Sequence, residues 1–275
     1  MSAVTVGQKR TELLAMDSTD DVERLRAIAD ADAASLSDDD VRFVAFSLDA
    51  APSLEVQREA IEAARALAGA ARGDWVLPAI RAVASEDAGV RCVACGILGD
   101  LRVVEAIRLI GEMLMKDADV TAQCCAAEAL GAIGHPDAVP LLVAGAADPA
   151  PSVRGWSVLG LGLCAASVTE DLTELLRRIA ATDADDAVRT EAWAAGLRLG
   201  VKTDFLPAST LEAADENLLL AMLNALEDVL GSHAAQLAHD ELDSIAVAVQ
   251  KTAVRDPILA GQAARLLTLL SEPAR

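Results

Sequence analysis

The chain has 275 residues and a formal net charge of −20, from 43 acidic and 23 basic side chains. Hydrophobic residues make up 53% and aromatic residues 2%, with Ala about a fifth of the whole. That composition favours helices and excludes an all-β protein, which would need β-branched and aromatic residues, and equally a disordered one. The acidity works against phosphate backbones and anionic membranes and favours a basic protein partner.

From the N-terminus, Thr5–Met16, Asp20–Ala31 and Ser37–Ala50 read as helices. The second and third are opened by Thr19-Asp20-Asp21 and Ser37-Asp38-Asp39-Asp40, acidic start signals that suit a helix N-terminus. Residues 1–52 are predicted to cap the exposed face of the first repeat. From residue 53 the chain becomes periodic. Four segments align: DAGVRCVACGILGDL (Asp87–Leu101), DVTAQCCAAEALGAIG (Asp119–Gly134), PSVRGWSVLGLGL (Pro151–Leu163) and DDAVRTEAWAAGLRLG (Asp185–Gly200). Anchored on Leu98, Leu130, Leu161 and Leu197 they repeat at 32, 31 and 36 residues. Leu67 and Leu226 extend the beat, and Gly99, Gly131 and Gly162 keep it. Between these anchors lie Trp75–Ser85, Val103–Lys116, Ala138–Ala147 and Glu170–Thr182. Each has apolar residues on one helical face, Val104, Ile107, Ile110, Leu114 and Met115 in the second case. Each repeat is therefore a helix pair, A then B, which buries its apolar face only by stacking on its neighbours. The last stretch reads as two further helices around Pro257, with residues 232–275 as a C-terminal cap. No linker divides the chain, so the expectation is one all-α solenoid over residues 1–275, with repeats over 53–231 that are clearest over 74–200.

The pattern D-x-x-V-R-x-x-A-A-x-A-L-G-x-[IL]-G resembles the HEAT-repeat family, and within it the bilin-lyase-like subgroup. Gln123 stands where the arginine of that pattern belongs. The resemblance implies the α-solenoid fold and no single activity, because such repeats serve many functions.

The recurrent polar residues read as structure. Asp87, Asp119 and Asp185 stand three positions before the repeat's Val or its equivalent, as N-caps of helix B. Arg91, Arg154 and Arg189 follow the valines and are expected to bridge to an Asp of the adjacent repeat. Positions two, three and six after the Val are expected on the concave helix-B face. They place Cys92, Val93, Cys124, Cys125, Glu128, Trp156, Thr190 and Glu191 on a shallow apolar stripe with acidic flanks, with Trp156 as its anchor. Trp193 falls on a core position.

No catalytic motif is present. Cys92 and Cys95 form a lone C-x-x-C with no second pair and no neighbouring His. Cys124, the register equivalent of Cys92, is expected roughly 8–10 Å away, beyond disulfide reach. Neither His135, His233 nor His239 is followed by Glu, so the His-Glu pairs of di-iron HEAT-like hydroxylases are missing. The N-terminal segment has no apolar secretory core, and no apolar run reaches the roughly 20 residues of a membrane span. A cytoplasmic protein with reduced thiols is expected. Nineteen Arg against four Lys (Lys9, Lys116, Lys202 and Lys251) fits either a high-GC genome or a salt-adapted proteome. The functional expectation is a non-enzymatic scaffold or adaptor for another protein, with no cofactor, no metal, no nucleic acid and no membrane. The alternative is a lyase-like or cofactor-maturation accessory protein handling a small molecule or metal.

Overall fold

The computed structural model describes residues 18–49, 51, 53–70, 73–164, 169–205, 207–211, 216–233, 236–255 and 259–271. Every regular element among them is helical. In chain order they are α1 (Ser18–Asp30), α2 (Asp38–Asp49), α3 (Leu54–Gly69), α4 (Val76–Ala82), α5 (Ala88–Asp100), α6 (Ile107–Lys116), α7 (Val120–Ile133), α8 (Val139–Gly145), α9 (Pro151–Cys164), α10 (Glu170–Thr182), α11 (Asp186–Leu199), α12 (Ala208–Leu211), α13 (Glu216–His233), α14 (His239–Arg255) and α15 (Ala260–Ser271). The helix expected at Thr5–Met16 and the turn at Pro257 lie outside the described residues.

The chain divides into two compact units, the first ending at Ile133 and the second beginning at Gly134. In the first, α1, α3, α5 and α7 stack in that order, with α2, α4 and α6 as a second row beside them. In the second, α9, α11, α13 and α15 stack in order. Here α8 lies on α9, α10 on α11, and α14 on both α12 and α15. Both units are thus stacks of helix pairs, and the fold class is the all-α solenoid.

Capping residues set where the helices begin. The Ser53 hydroxyl accepts from the Val56 amide (3.3 Å), Asp87 from Val90 (3.0 Å), Asp119 from Ala122 (3.0 Å) and Thr169 from Leu172 (3.2 Å). Asp185 takes the amides of Ala187 and Val188 at 2.9 and 3.2 Å. Each such cap contributes about 1 kcal/mol. Gly200 ends α11 in the left-handed conformation, φ +70°, which a glycine adopts without penalty.

Small residues let the stacked helices approach. A Cβ on Gly99 would stand 3.1 Å from the Ala129 Cα, and one on Gly162 would stand 3.0 Å from the Ala195 Cα. In both cases the ninth residue after one repeat's Val (or its equivalent) meets the seventh of the next. That contact fixes the register on the valines rather than the leucines. Leu98, Leu130 and Leu161 lie eight residues past their anchors, but in the last repeat Gly196 holds that position and Leu197 comes one later. The cause is the loop after α11: a Cβ on Gly196 would stand 2.7 Å from the Val201 carbonyl oxygen.

Several A helices differ from expectation at their starts. The segment at Trp75–Ser85 is helical only over Val76–Ala82, and those at Val103–Lys116 and Ala138–Ala147 open with 3-10 turns at Val104–Ala106 and Pro136–Ala138. The turn takes Val104 out of phase with α6. Ile107, Ile110 and Leu114 are buried with Met113, while Val104 and Met115 are exposed. Among the described residues no helix is long and apolar enough to cross a membrane.

Candidate functional site

The arginines after the repeat valines lock the stacks. Arg91 grips Asp117 with two parallel bonds, Nε to Oδ2 at 2.8 Å and Nη2 to Oδ1 at 2.7 Å, while Nη1 donates to the Ser85 and Glu86 carbonyls. Arg154 repeats the arrangement on Asp183 at 2.9 and 2.8 Å, with Nη1 on the Asp148 and Pro149 carbonyls. The bridging carboxylates therefore stand two residues before the caps Asp119 and Asp185, and they also accept those caps' own amides at 2.9 Å. Arg58 of α3 reaches Asp87, which serves as cap and bridge together. Burial opposes ionisation of Asp117 and Asp183. The arginine and amide hydrogen bonds outweigh it and hold both below the ordinary carboxylate range.

Arg189 departs from its expected role. It pairs with Asp186 on its own helix and lies over the Phe205 ring, 4.9 Å from the centroid. Phe205 follows the α11 loop and offers the guanidinium an aromatic face. Gln123, in the arginine position of α7, donates to the Leu114 carbonyl at 3.0 Å.

The proposed stripe falls on both units. In the first, Cys92, Val93 and Cys125 are half-buried and Glu128 is exposed. Cys124 is buried at 8% exposure and so faces the packing rather than a partner. Cys92 hydrogen-bonds to Cys125. Burial raises the Cys92 thiol and pushes Cys125 up to about 12, as it does Cys95, whose Sγ lies 3.4 Å from the Met113 Sδ. These are protonated, unreactive thiols. Among the described residues no group of three or more His, Cys, Asp or Glu side chains is arranged to hold a metal ion.

The second unit holds a cleft of about 750 Å³. One wall is α9, which contributes Trp156, Leu159 and Leu163. The floor is α11 with Val188, Glu191 and Arg198, and the far wall is α13 with Ala221, Asn224, Ala225 and Asp228. Trp156 and Leu163 are 38% and 50% exposed and share the cleft's apolar wall. Thr190 lies on the opposite face of α11. It is fully buried, its hydroxyl donating to the Asp186 carbonyl at 2.8 Å, so it is corrected from surface to core. Trp193 is buried in the cluster with Leu223, Leu226 and Ile245.

The polar groups of the floor are incompletely satisfied. Glu191 Oε2 is sealed from solvent and has no hydrogen-bond partner, and the same is true of Arg198 Nη1. Arg198 uses Nη2 on Asp228, at the rim of the cleft. Burial, aided by the Asp228 charge and opposed by Arg198, pushes the Glu191 carboxyl up to about 7. No sequence pattern marks Arg198, which lies beyond the repeat signature. Its role emerges only when Gly162 leaves room for it: a Cβ there would stand 3.2 Å from Nη1.

Comparison with known proteins bears on this geometry in part. No curated protein sequence matches the chain. A crystal structure described as that of an engineered protein is similar at 20% identity with a TM-score of 0.47, over 95% of this chain and 77% of that one. Residues 107–197 match the family model described as HEAT repeats, a stretch that runs from α6 into α11 and includes two of the three helices that form the cleft.

Proposed function

We propose that this protein is a non-enzymatic interaction scaffold that receives an apolar segment of a partner protein in the α9–α11–α13 cleft. The observation that carries the reading is the half-exposed pair Trp156 and Leu163 along an open apolar wall. Large apolar side chains left in solvent at a groove mark interaction sites, and a tryptophan there is a typical anchor. The HEAT-repeat match supports it, since stacked helical repeats offer extended surfaces to other proteins. The net charge of −20 favours partners that carry basic residues. The resemblance to the bilin-lyase-like subgroup adds no residue to this reading.

A random-peptide display library selected on the protein tests it. Peptides rich in apolar residues are expected to enrich on the wild type and to lose at least tenfold in affinity on a folded Trp156→Ala variant. No enrichment, or equal binding by the variant, overturns the reading. A second reading, an accessory protein handling a small molecule, has one observation in its favour: a buried carboxyl near neutrality in a cleft is an arrangement that proton-transfer sites use. A stoichiometric chromophore or metabolite in protein purified from its own host would favour it.

A further inference from the structure

We propose that Glu191 is the specificity-determining residue of the cleft, a carboxylate that receives a lysine or arginine side chain of the bound segment. This rests on the reading of the cleft as a protein-binding groove. The apolar walls select only for hydrophobicity; the floor selects for charge.

Three observations carry it. First, the acidic groups of the cleft are already engaged except at Glu191. Asp185 Oδ1 accepts from the amides of Ala187 and Val188, and Asp228 Oδ2 from Arg198. Glu191 Oε2 has no partner and no solvent. An enclosed carboxylate without a donor costs far more than a solvated one, and that cost is recovered when a donor arrives. Second, among the described residues the charges lining the cleft are Asp185, Glu191, Asp228 and Arg198, so the site is net negative and complementary to a cation. Third, Trp156 holds in α9 the register position that Glu191 holds in α11, three after the Val in each case. These two helices are in contact. The carboxyl and the indole line the same cleft from adjacent helices, as a cation with an apolar stem requires. Arg198, whose side chain is only 7% exposed, is the cation already on the floor, and it uses its Nη2 on Asp228.

Protonation is coupled to this recognition. The charged groups facing Glu191 are Arg198 and Asp185 from its own helix and cap, and Asp228 from α13. Among the described residues α9 and α10 give the cleft no charged side chain. With the carboxyl at about 7, a bound cation holds it ionised. Binding then weakens as the pH falls, by about tenfold from pH 8 to pH 6, since one pKa unit is a factor of ten.

The test uses the full chain and peptides from the display selection. Selection on the wild type is expected to return apolar peptides with Lys or Arg at one fixed position. Selection on Glu191→Gln, which keeps the shape of the side chain, is expected to return the apolar pattern without the cation. For one such peptide, replacing its Lys by norleucine and replacing Glu191 by Gln should each lower affinity about tenfold, with little further loss when combined. The pH dependence should vanish in Glu191→Gln. Peptides that lose affinity on Trp156→Ala but show no fixed cation, or bind Glu191→Gln as tightly as wild type, overturn the Glu191 proposal and leave the groove reading intact. No enrichment, or binding indifferent to Trp156→Ala, overturns both.

Discussion

At the residue scale, two buried polar arrangements behave in opposite ways. The Asp117 and Asp183 carboxylates are held below the ordinary carboxylate range, so each contributes stability above about pH 4. That contribution is lost as the pH falls through the folded-state value. Asp183→Ala leaves Arg154, 16% exposed, without its carboxylate, and removal of one partner from such a pair costs about 3–5 kcal/mol at neutral pH. Chemical denaturation at pH 7 and at successively lower pH checks this: the gap between wild type and variant should narrow as the pH falls below about 4. Glu191 has the reverse sign. Its folded-state value, about 7, lies above the ordinary one, so the folded state binds more protons between about pH 4.5 and 7 and stability falls as the pH rises through that window. Glu191→Gln is therefore expected to be more stable than wild type at pH 8, by on the order of 2–3 kcal/mol, and equal at pH 4. A cost retained at the groove's floor fits a residue kept for binding. The cysteines give a simpler check. With Cys95 and Cys125 pushed up to about 12, the native protein should alkylate at pH 8 at least tenfold more slowly than the unfolded chain.

At the scale of elements, helix contact is set by missing side chains. Gly162 of α9 lies against Ala195 of α11 and beside the Arg198 guanidinium, so Gly162→Ala forces the helices apart or displaces Arg198 from the cleft. Overpacking of this kind costs about 1–3 kcal/mol. Gly96 of α5 has nothing within 4 Å of an added Cβ, and Gly96→Ala should stabilise by roughly 0.5–1 kcal/mol through helix propensity. Thermal denaturation of the two variants separates close packing from backbone entropy. The helices themselves were legible in the sequence because capping and apolar spacing are local: Asp87, Asp119 and Asp185 cap where the three-residue offset from the valine puts them. Long-range choices were less so. The bridging carboxylates, Asp117 and Asp183, are two residues from the caps, and the D-x-D spacing that marks them is visible only once the arginine's reach is known. Arg189 looks identical to Arg91 and Arg154 in sequence, yet Phe205 and Asp186 redirect it. Thr190 and Cys124 share the position-two register of half-buried Cys92, but the packing of their helices buries them.

For the whole molecule, the repeat period and the lack of aromatic residues carried the fold class, because a solenoid's contacts are those between neighbours in sequence. The cleft is different in kind. Trp156 and Glu191 were readable as surface candidates from the repeat register. The cleft around Glu191 also needs α13 and Arg198, and neither follows from the signature. The −20 charge adds a long-range attraction for basic partners that salt screens, while the enclosed carboxylate is screened much less. The affinity of a cationic peptide should therefore fall with ionic strength and level off at a value still sensitive to Glu191→Gln.

The most direct measurement is covalent side-chain footprinting of the protein with and without a display-selected peptide. Protection of Trp156 and Leu163, with Leu77 and Leu101 on the other unit unchanged, is the result expected if the α9–α11–α13 cleft is the binding face. A bound peptide that leaves Trp156 and Leu163 as reactive as in the free protein would contradict it.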